Sequence, residues 1–156
     1  MEYIYSCEKF NPHNMNHIES IIVDETENIT SPAYLHTFKD KASNEKYCVV
    51  SDNIGVPMPY LKMDNEFLVG TSRYIYFFNC ISKKIERKPL NSPCTMILIS
   101  HNKIIIICEC DVSIVSLVDK FVVAEFEFND VITNYKIHQN CLLIYLMEGI
   151  EQKIDI

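Results

Sequence analysis

Glycine is almost absent from this chain, with only Gly55, Gly70 and Gly149 among 156 residues. That scarcity rules out a Gly-rich loop that could cradle phosphates. A nucleophile elbow of the GxSxG type, an HExxH metal helix and a DxDG calcium loop are missing as well. Turns must rest on Asn, Asp, Ser and Lys, whose local side-chain bonds or tolerance of left-handed backbone allow it. Basic charge is short too: 14 Lys and Arg stand against 21 Asp and Glu, a net charge of −7. Such a balance disfavours nucleic acid and anionic membrane as direct partners and favours cationic proteins. No apolar run approaches the roughly 18 residues that span a bilayer. The start, MEYIYSCEKF, has no basic segment leading into an apolar one, so no signal peptide is visible.

The cysteines, seven in number, are Cys7, Cys48, Cys80, Cys94, Cys108, Cys110 and Cys141. They are odd in count and lie mostly in or beside apolar runs. They read as reduced core residues in a cytoplasmic setting. Cys108 and Cys110 in one strand would hold their Cα atoms roughly 6.5–7 Å apart, and tetrahedral zinc needs closer sulfurs and a second ligand pair. His101 and His138 precede Asn102 and Asn140 at equivalent repeat positions and read as turn residues. His13 and His17 sit in NPHNMNH, a poor helix and a better loop. No metal and no cofactor is expected. Without a mechanism motif the chain is expected to bind rather than to catalyse. A Cys–His pair assembled in space stands as the third reading, behind the two given below.

What is present is a β repeat. Asn65 opens NEFLVGTSRYIYFFN, Asn102 opens NKIIIICECDVSIVSLVDK, and Asn140 opens NCLLIYLMEGIEQKIDI. Each unit runs from an apolar strand through a polar triplet into a second β-rich run. Two units add a third and a fourth strand, at 84–87 with 93–100 and at 121–128 with 131–137. Four short antiparallel strands at a period of about 38–40 residues are the signature of a propeller blade. Two and a half repeats are too few to close a ring, which typically takes about four blades or more. The expected architecture is therefore all-β: an open stack of propeller-blade-like antiparallel sheets. Length predicts a single domain over 1–156. Residues 1–64 form a β and loop segment, with strands at 2–6, 18–23 and 47–51, that caps the repeats at 65–156. Pro57 and Pro59 mark an extended connector between the two parts.

Charge is unevenly placed. Glu109, Asp111, Asp119, Glu125, Glu127 and Asp130 crowd one stretch against Lys120 alone, and Asp24, Glu25 and Glu27 crowd another. Residues 73–88 are basic, with Lys83-Lys84 at a hairpin turn that keeps an edge soluble. In FVVAEFEFND, alternation sends Ala124, Phe126 and Phe128 to the core and Val123, Glu125 and Glu127 outward.

Ser92-Pro93, the apolar run 104–108, the triplet Glu109-Cys110-Asp111, the strand 112–117 and the final strand-turn-strand 140–156 occur in that order. This C-terminal half resembles small acidic immunity proteins of polymorphic and contact-dependent growth-inhibition toxin systems in bacteria. The resemblance implies a protein that binds and neutralises a cognate toxin. A nuclease toxin holds phosphates in a basic cleft, so a cationic nuclease is the natural target, ribonuclease ahead of deoxyribonuclease. An acidic partner would cover that cleft through Glu109, Asp111, Asp119, Glu125, Glu127 and Asp130, then Asp24, Glu25 and Glu27. The second reading is a non-enzymatic β scaffold that self-associates or pairs through open sheet edges.

Overall fold

A computed structural model describes residues 3–10, 21–24, 33–41, 45–51 and 58–156, with the backbone path alone at 21–24. It divides into two compact units, Met1–Pro57 and Met58–Ile156. Among the described residues there are fifteen strands and no helix, in three four-stranded sheets and one three-stranded sheet.

The first unit holds one sheet, built from β1 (Tyr3–Lys9), β2 (Ile21–Asp24), β3 (Tyr34–Asp40) and β4 (Lys46–Ser51), in the order β1-β3-β4-β2. Its pairs are antiparallel except β2 with β4, which run parallel. Strand β3 escaped the sequence reading. Two of its buried alternate positions are the polar His36 and Asp40, which flank the fully buried Phe38, so the apolar alternation that marks a half-buried strand is broken. Leu35, Cys48 and Val50 form a small core on the sheet's other face.

The second unit is a stack of three blades. Blade I contains β5 (Tyr60–Lys62), β6 (Glu66–Gly70), β7 (Tyr74–Asn79) and β8 (Ile85–Pro89). Blade II contains β9 (Cys94–Ser100), β10 (Lys103–Cys108), β11 (Asp111–Ser116) and β12 (Val122–Glu127). Blade III contains β13 (Ile132–His138), β14 (Cys141–Leu146) and β15 (Glu151–Asp155). Within each blade consecutive strands pair antiparallel. The repeat is present, but its phase is one strand earlier than the sequence reading placed it. Segments 93–100 and 131–137, read as the fourth strands of their units, are the first strands of the next blades. Tyr60–Lys62, assigned to the connector, is the first strand of blade I. Pro59 stands just before it and supplies only a carbonyl, which accepts from Gly70 N at 2.9 Å. A proline is tolerated at that position because no ladder donor is lost.

The run of isoleucines in β10 shows why the strands are apolar without interruption. Ile104 and Ile106 face blade I and pack with Leu68, Ile75 and Phe77. Ile105 and Ile107 face blade III and pack with Leu142, Ile144 and Ile154. A strand covered on both faces reads as a continuous apolar run, and each fully buried isoleucine contributes about 1.5–3 kcal/mol. Blade III packs against blade II through one face. Its β14 alternates, with Leu142, Ile144 and Leu146 buried and Cys141, Leu143 and Tyr145 half-buried. The outward face is flanked by exposed Asn134, Lys136, Glu151, Lys153 and Asp155, and the Lys136 ammonium lies 5.5 Å from the Tyr145 ring centre.

With so few glycines, left-handed turn positions fall to other residues. His101 and Asn102 (φ 48° and 60°) make the two-residue turn between β9 and β10, and positive φ at both central positions matches the twist of a hairpin. Lys83 and Lys120 (φ 59° and 61°), 37 positions apart, do the same work in the turns after β7 and β11.

A candidate protein-binding surface on the second blade

The predicted acids do not form one face. Asp111 is buried at 4% exposure and accepts a hydrogen bond from Ser92 Oγ, and Ser92 Oγ in turn accepts from Cys110 N at 3.0 Å. Its carboxylate fastens the blade II turn and is not presented to a partner. Asp130 does related work one repeat later. Its Oδ1 accepts from Val131 N at 2.8 Å and its Oδ2 from Glu148 N at 2.7 Å. Asp130 follows Ser92 by 38 residues and Glu148 follows Cys110 by 38, and that spacing was the sequence signal that Ser92 and Asp130, each two residues before a blade's first strand, hold that blade's second turn. Glu109 is exposed at that same end. Asp119 lies at the opposite end, in the turn from β11 to β12. The six-residue strands between them span about 20 Å. Asp24 contributes its backbone to β2, paired with Val50, and Glu25 and Glu27 lie outside the described residues.

Glu125 and Glu127 keep their expected place. They are exposed on β12, whereas Ala124, Phe126 and Phe128 are half-buried against the blade III core. Glu127 Oε1 accepts from Asn91 Nδ2 at 3.2 Å. The same strand and the turn before it expose Val118 (88%), Phe121 (72%), Val122 (46%) and Val123 (56%). Sequence reading passed over these because single exposed apolar residues are common. Here they are adjacent, and acids stand among them.

Beside that turn a groove of about 480 Å³ runs between blades I and II. Met63, Ile99, Leu117 and Val118 supply its apolar lining, and Asp64, Glu66 and Lys120 its charges. The lysine is committed internally. Its Nζ pairs with Glu66 at 2.6 Å, donates to Leu117 O at 2.7 Å and stands 5.8 Å from the Phe77 ring centre. Asp119 is exposed, and its carboxyl is held below the usual range, first by the Ser116 hydroxyl and then by the Phe121 amide, with Lys88 contributing. The surface thus offers acidic side chains around exposed apolar ones.

The first unit holds a different cluster. His36, fully buried, has its Nδ1 2.8 Å from Tyr5 Oη and its Nε2 3.4 Å from Ser51 Oγ, with Cys7 Sγ at 4.0 Å. Burial, then the neighbouring Cys7, push the Tyr5 hydroxyl well above its ordinary range. Ser51 is also fully buried, whereas Tyr5 and Cys7 are half-buried. The cluster joins polar side chains of β1, β3 and β4 around one imidazole. Among the described residues no group of three or more metal-ligating side chains comes together, and no disulfide joins the cysteines.

No protein-family model matches the chain, and no curated protein sequence matches it. Solved structures do. The computationally designed protein Ika4 is similar over 89% of this chain and 93% of its own, with a TM-score of 0.58 and 10% identity. Sqt1 of Saccharomyces cerevisiae matches 78% of this chain at a TM-score of 0.58 and 7% identity. BamB of Moraxella catarrhalis matches 78% at a TM-score of 0.53 and 10% identity. The chain spans 39% and 38% of the lengths of those last two. At such identities the likeness is one of fold: an all-β chain of propeller-like blades.

Proposed function

We propose that this chain is a non-catalytic binding protein whose second blade seats a cationic protein partner. The resemblance of its C-terminal half to immunity proteins gives that partner a class: a basic nuclease toxin, neutralised when its active cleft is covered. One observation carries the reading. Val118, Phe121 and Val123 stand exposed on one turn and edge strand, among Asp119, Glu125 and Glu127. Contiguous exposed apolar surface rimmed by charge marks an interaction site, and an aromatic at its centre is the usual energetic anchor. The ionised rim would steer a cationic partner into place.

The test inspects the genes that neighbour this chain's and, where one encodes a cationic toxin domain, uses that domain in catalytically inactivated form. Phe121→Ala should weaken binding at least tenfold through a faster off-rate. Glu125→Lys with Glu127→Lys should slow association and lessen its salt dependence. The control, Lys83→Glu with Lys84→Glu in the basic turn of blade I, should leave binding intact. Full affinity after Phe121→Ala, or loss in the control alone, places the contact elsewhere. A neighbouring gene that encodes no cationic toxin removes the nuclease reading and leaves the surface to another basic protein.

A further inference from the structure

In blade I a lysine amine lies against a cysteine sulfur. Lys62 Nζ donates to Cys80 Sγ at 2.9 Å, closer than to its second acceptor, Asp64 O, at 3.4 Å. The thiol donates to Phe78 O, 3.9 Å away, so a sulfur lone pair faces the lysine. The two residues are 18 apart in sequence, and the sheet brings them together. Lys62 on β5 stands opposite Phe67 on β6, and Phe67 opposite Phe78 on β7. Register neighbours share a face of a sheet. Cys80 follows two residues after Phe78, and its amide donates to Asn65 O at 2.8 Å, which holds it beside the start of β6.

Both side chains are half-buried, so a molecule as small as a peroxide reaches the sulfur while the amine stays in place. Cys94 and Cys141 also donate to backbone carbonyls, Met96 O at 3.7 Å and His138 O at 3.2 Å. The amine is what sets Cys80 apart from them. Peroxide takes a thiol to sulfenic acid, and a nitrogen beside that sulfur can displace the oxygen before further oxidation to sulfinic acid.

We propose that Cys80 and Lys62 form a peroxide-dependent modification site, in which the lysine captures the oxidised cysteine as a reversible sulfur–nitrogen link. In the first step the Cys80 sulfur attacks one peroxide oxygen. An S–O bond forms, the O–O bond breaks and water leaves; sulfur is oxidised by two electrons and the peroxide reduced by two. In the second step Lys62 Nζ, having released one proton to solvent, forms a bond to that sulfur. The S–O bond breaks, and hydroxide departs as water with a second proton from the amine. The link joins β5, a strand of three residues, to the end of β7 across β6. It is independent of the partner surface of blade II, so either can fail without the other.

The probe is hydrogen peroxide, added in small excess to the reduced full chain, with intact mass and peptide mapping under non-reducing conditions as readouts. The product should be lighter by two hydrogens and carry Lys62 joined to Cys80, and dithiothreitol should restore the starting mass. Lys62→Arg keeps the positive charge but replaces the amine with a weakly nucleophilic guanidinium. In that variant the link should vanish and Cys80 should proceed to sulfinic acid, heavier by two oxygens. Its thiol should disappear at a similar rate in both proteins, since the lysine acts after the first oxidation. Should the variant unfold, reductive dimethylation of the folded parent keeps the charge and should block the link. If Cys80 reaches sulfinic acid as readily in the parent as in Lys62→Arg, the proposal is overturned. A link from Cys80 to another cysteine, or oxidation of Cys110 or Cys141 ahead of any change at Cys80, overturns it as well.

Discussion

Gly70→Ala is the sharpest test of how blades I and II meet. A Cβ at this position would lie 2.3 Å from Cys94 Sγ, 2.7 Å from Cys94 Cβ and 3.3 Å from Pro59 Cγ. The backbone is not the obstacle, since Gly149 is the glycine with positive φ among the described residues. Alanine in a strand interior would even gain about 0.5–1 kcal/mol over glycine. Overlap in a packed core costs about 1–3 kcal/mol, and Cys94 has little room to yield. Its amide donates to Thr71 O at 2.9 Å while Gly70 N donates to Pro59 O at 2.9 Å, which ties the three strands together. The net expectation is a loss of about 1–2 kcal/mol, which lowers the melting temperature of a unit this size by several degrees. Cys94→Gly removes both offending atoms. In that background Gly70→Ala should be neutral or stabilising, with a coupling of at least about 1 kcal/mol in a urea double-mutant cycle. If Gly70→Ala alone is harmless, or costs the same in both backgrounds, the close approach of a thiol to a bare Cα does not set the blade spacing.

Asp111→Ala should cost about 1–3 kcal/mol by stranding the Ser92 hydroxyl, yet leave partner affinity of the folded protein unchanged, which equilibrium unfolding and titration together would check. Because burial raises the Tyr5 pKa above its ordinary 10.0, the stability it confers is present below that pH and declines as pH rises beyond it. Tyr5→Phe should flatten that alkaline limb in a pH series of melts, while costing stability at neutral pH through the lost bond to His36. Denatured, unreduced protein should titrate seven thiols. In the native state Cys108 should react slowest, since a hydrogen bond with the Cys94 thiol and then burial keep its thiol protonated.

How much of this was legible in the sequence follows from what each residue contacts. The blade pattern was, because Leu68, Ile75 and the isoleucines of β10 meet their neighbours on both faces and so write long apolar runs. The phase was not. Asn102 lies inside the β9–β10 hairpin, and a turn residue looks the same whether it separates blades or joins two strands of one. The outward set of Glu125 and Glu127 was legible from strand alternation. The structural use of Asp111 and Asp130 was not, because a carboxylate that holds a turn and one that awaits a partner are the same letter. For Asp130 the offset of 38 from Ser92 separates them, and it takes the right phase to notice it. The apolar tip at Val118 and Phe121 was hidden for the opposite reason: β-branched and aromatic residues beside a strand read as strand.

The turns after β7 and β11 show how one backbone carries two surfaces. In the first, Lys84 N donates to Ser82 Oγ at 3.4 Å, and in the second Phe121 N donates to Asp119 Oδ1 at 3.2 Å. Lys83 N meets Asn79 O at 2.9 Å just as Lys120 N meets Ser116 O at 3.2 Å. The repeats differ where the side chains leave the turn, Ser82 and Lys84 in blade I against Asp119 and Phe121 in blade II. The double variant Asp119→Ser with Phe121→Lys would therefore keep the amide bond at position 121 by the blade I chemistry and leave Lys120 paired with Glu66, giving up the contact of the Ser116 hydroxyl with the carboxylate. Surface changes of this kind stay within about 0.5 kcal/mol, so its urea midpoint should match the parent. Partner binding should be lost, because the aromatic anchor is gone and an acid beside it has been replaced. If the variant still binds as tightly, the second blade's turn is only a turn, and the partner must be sought on another face.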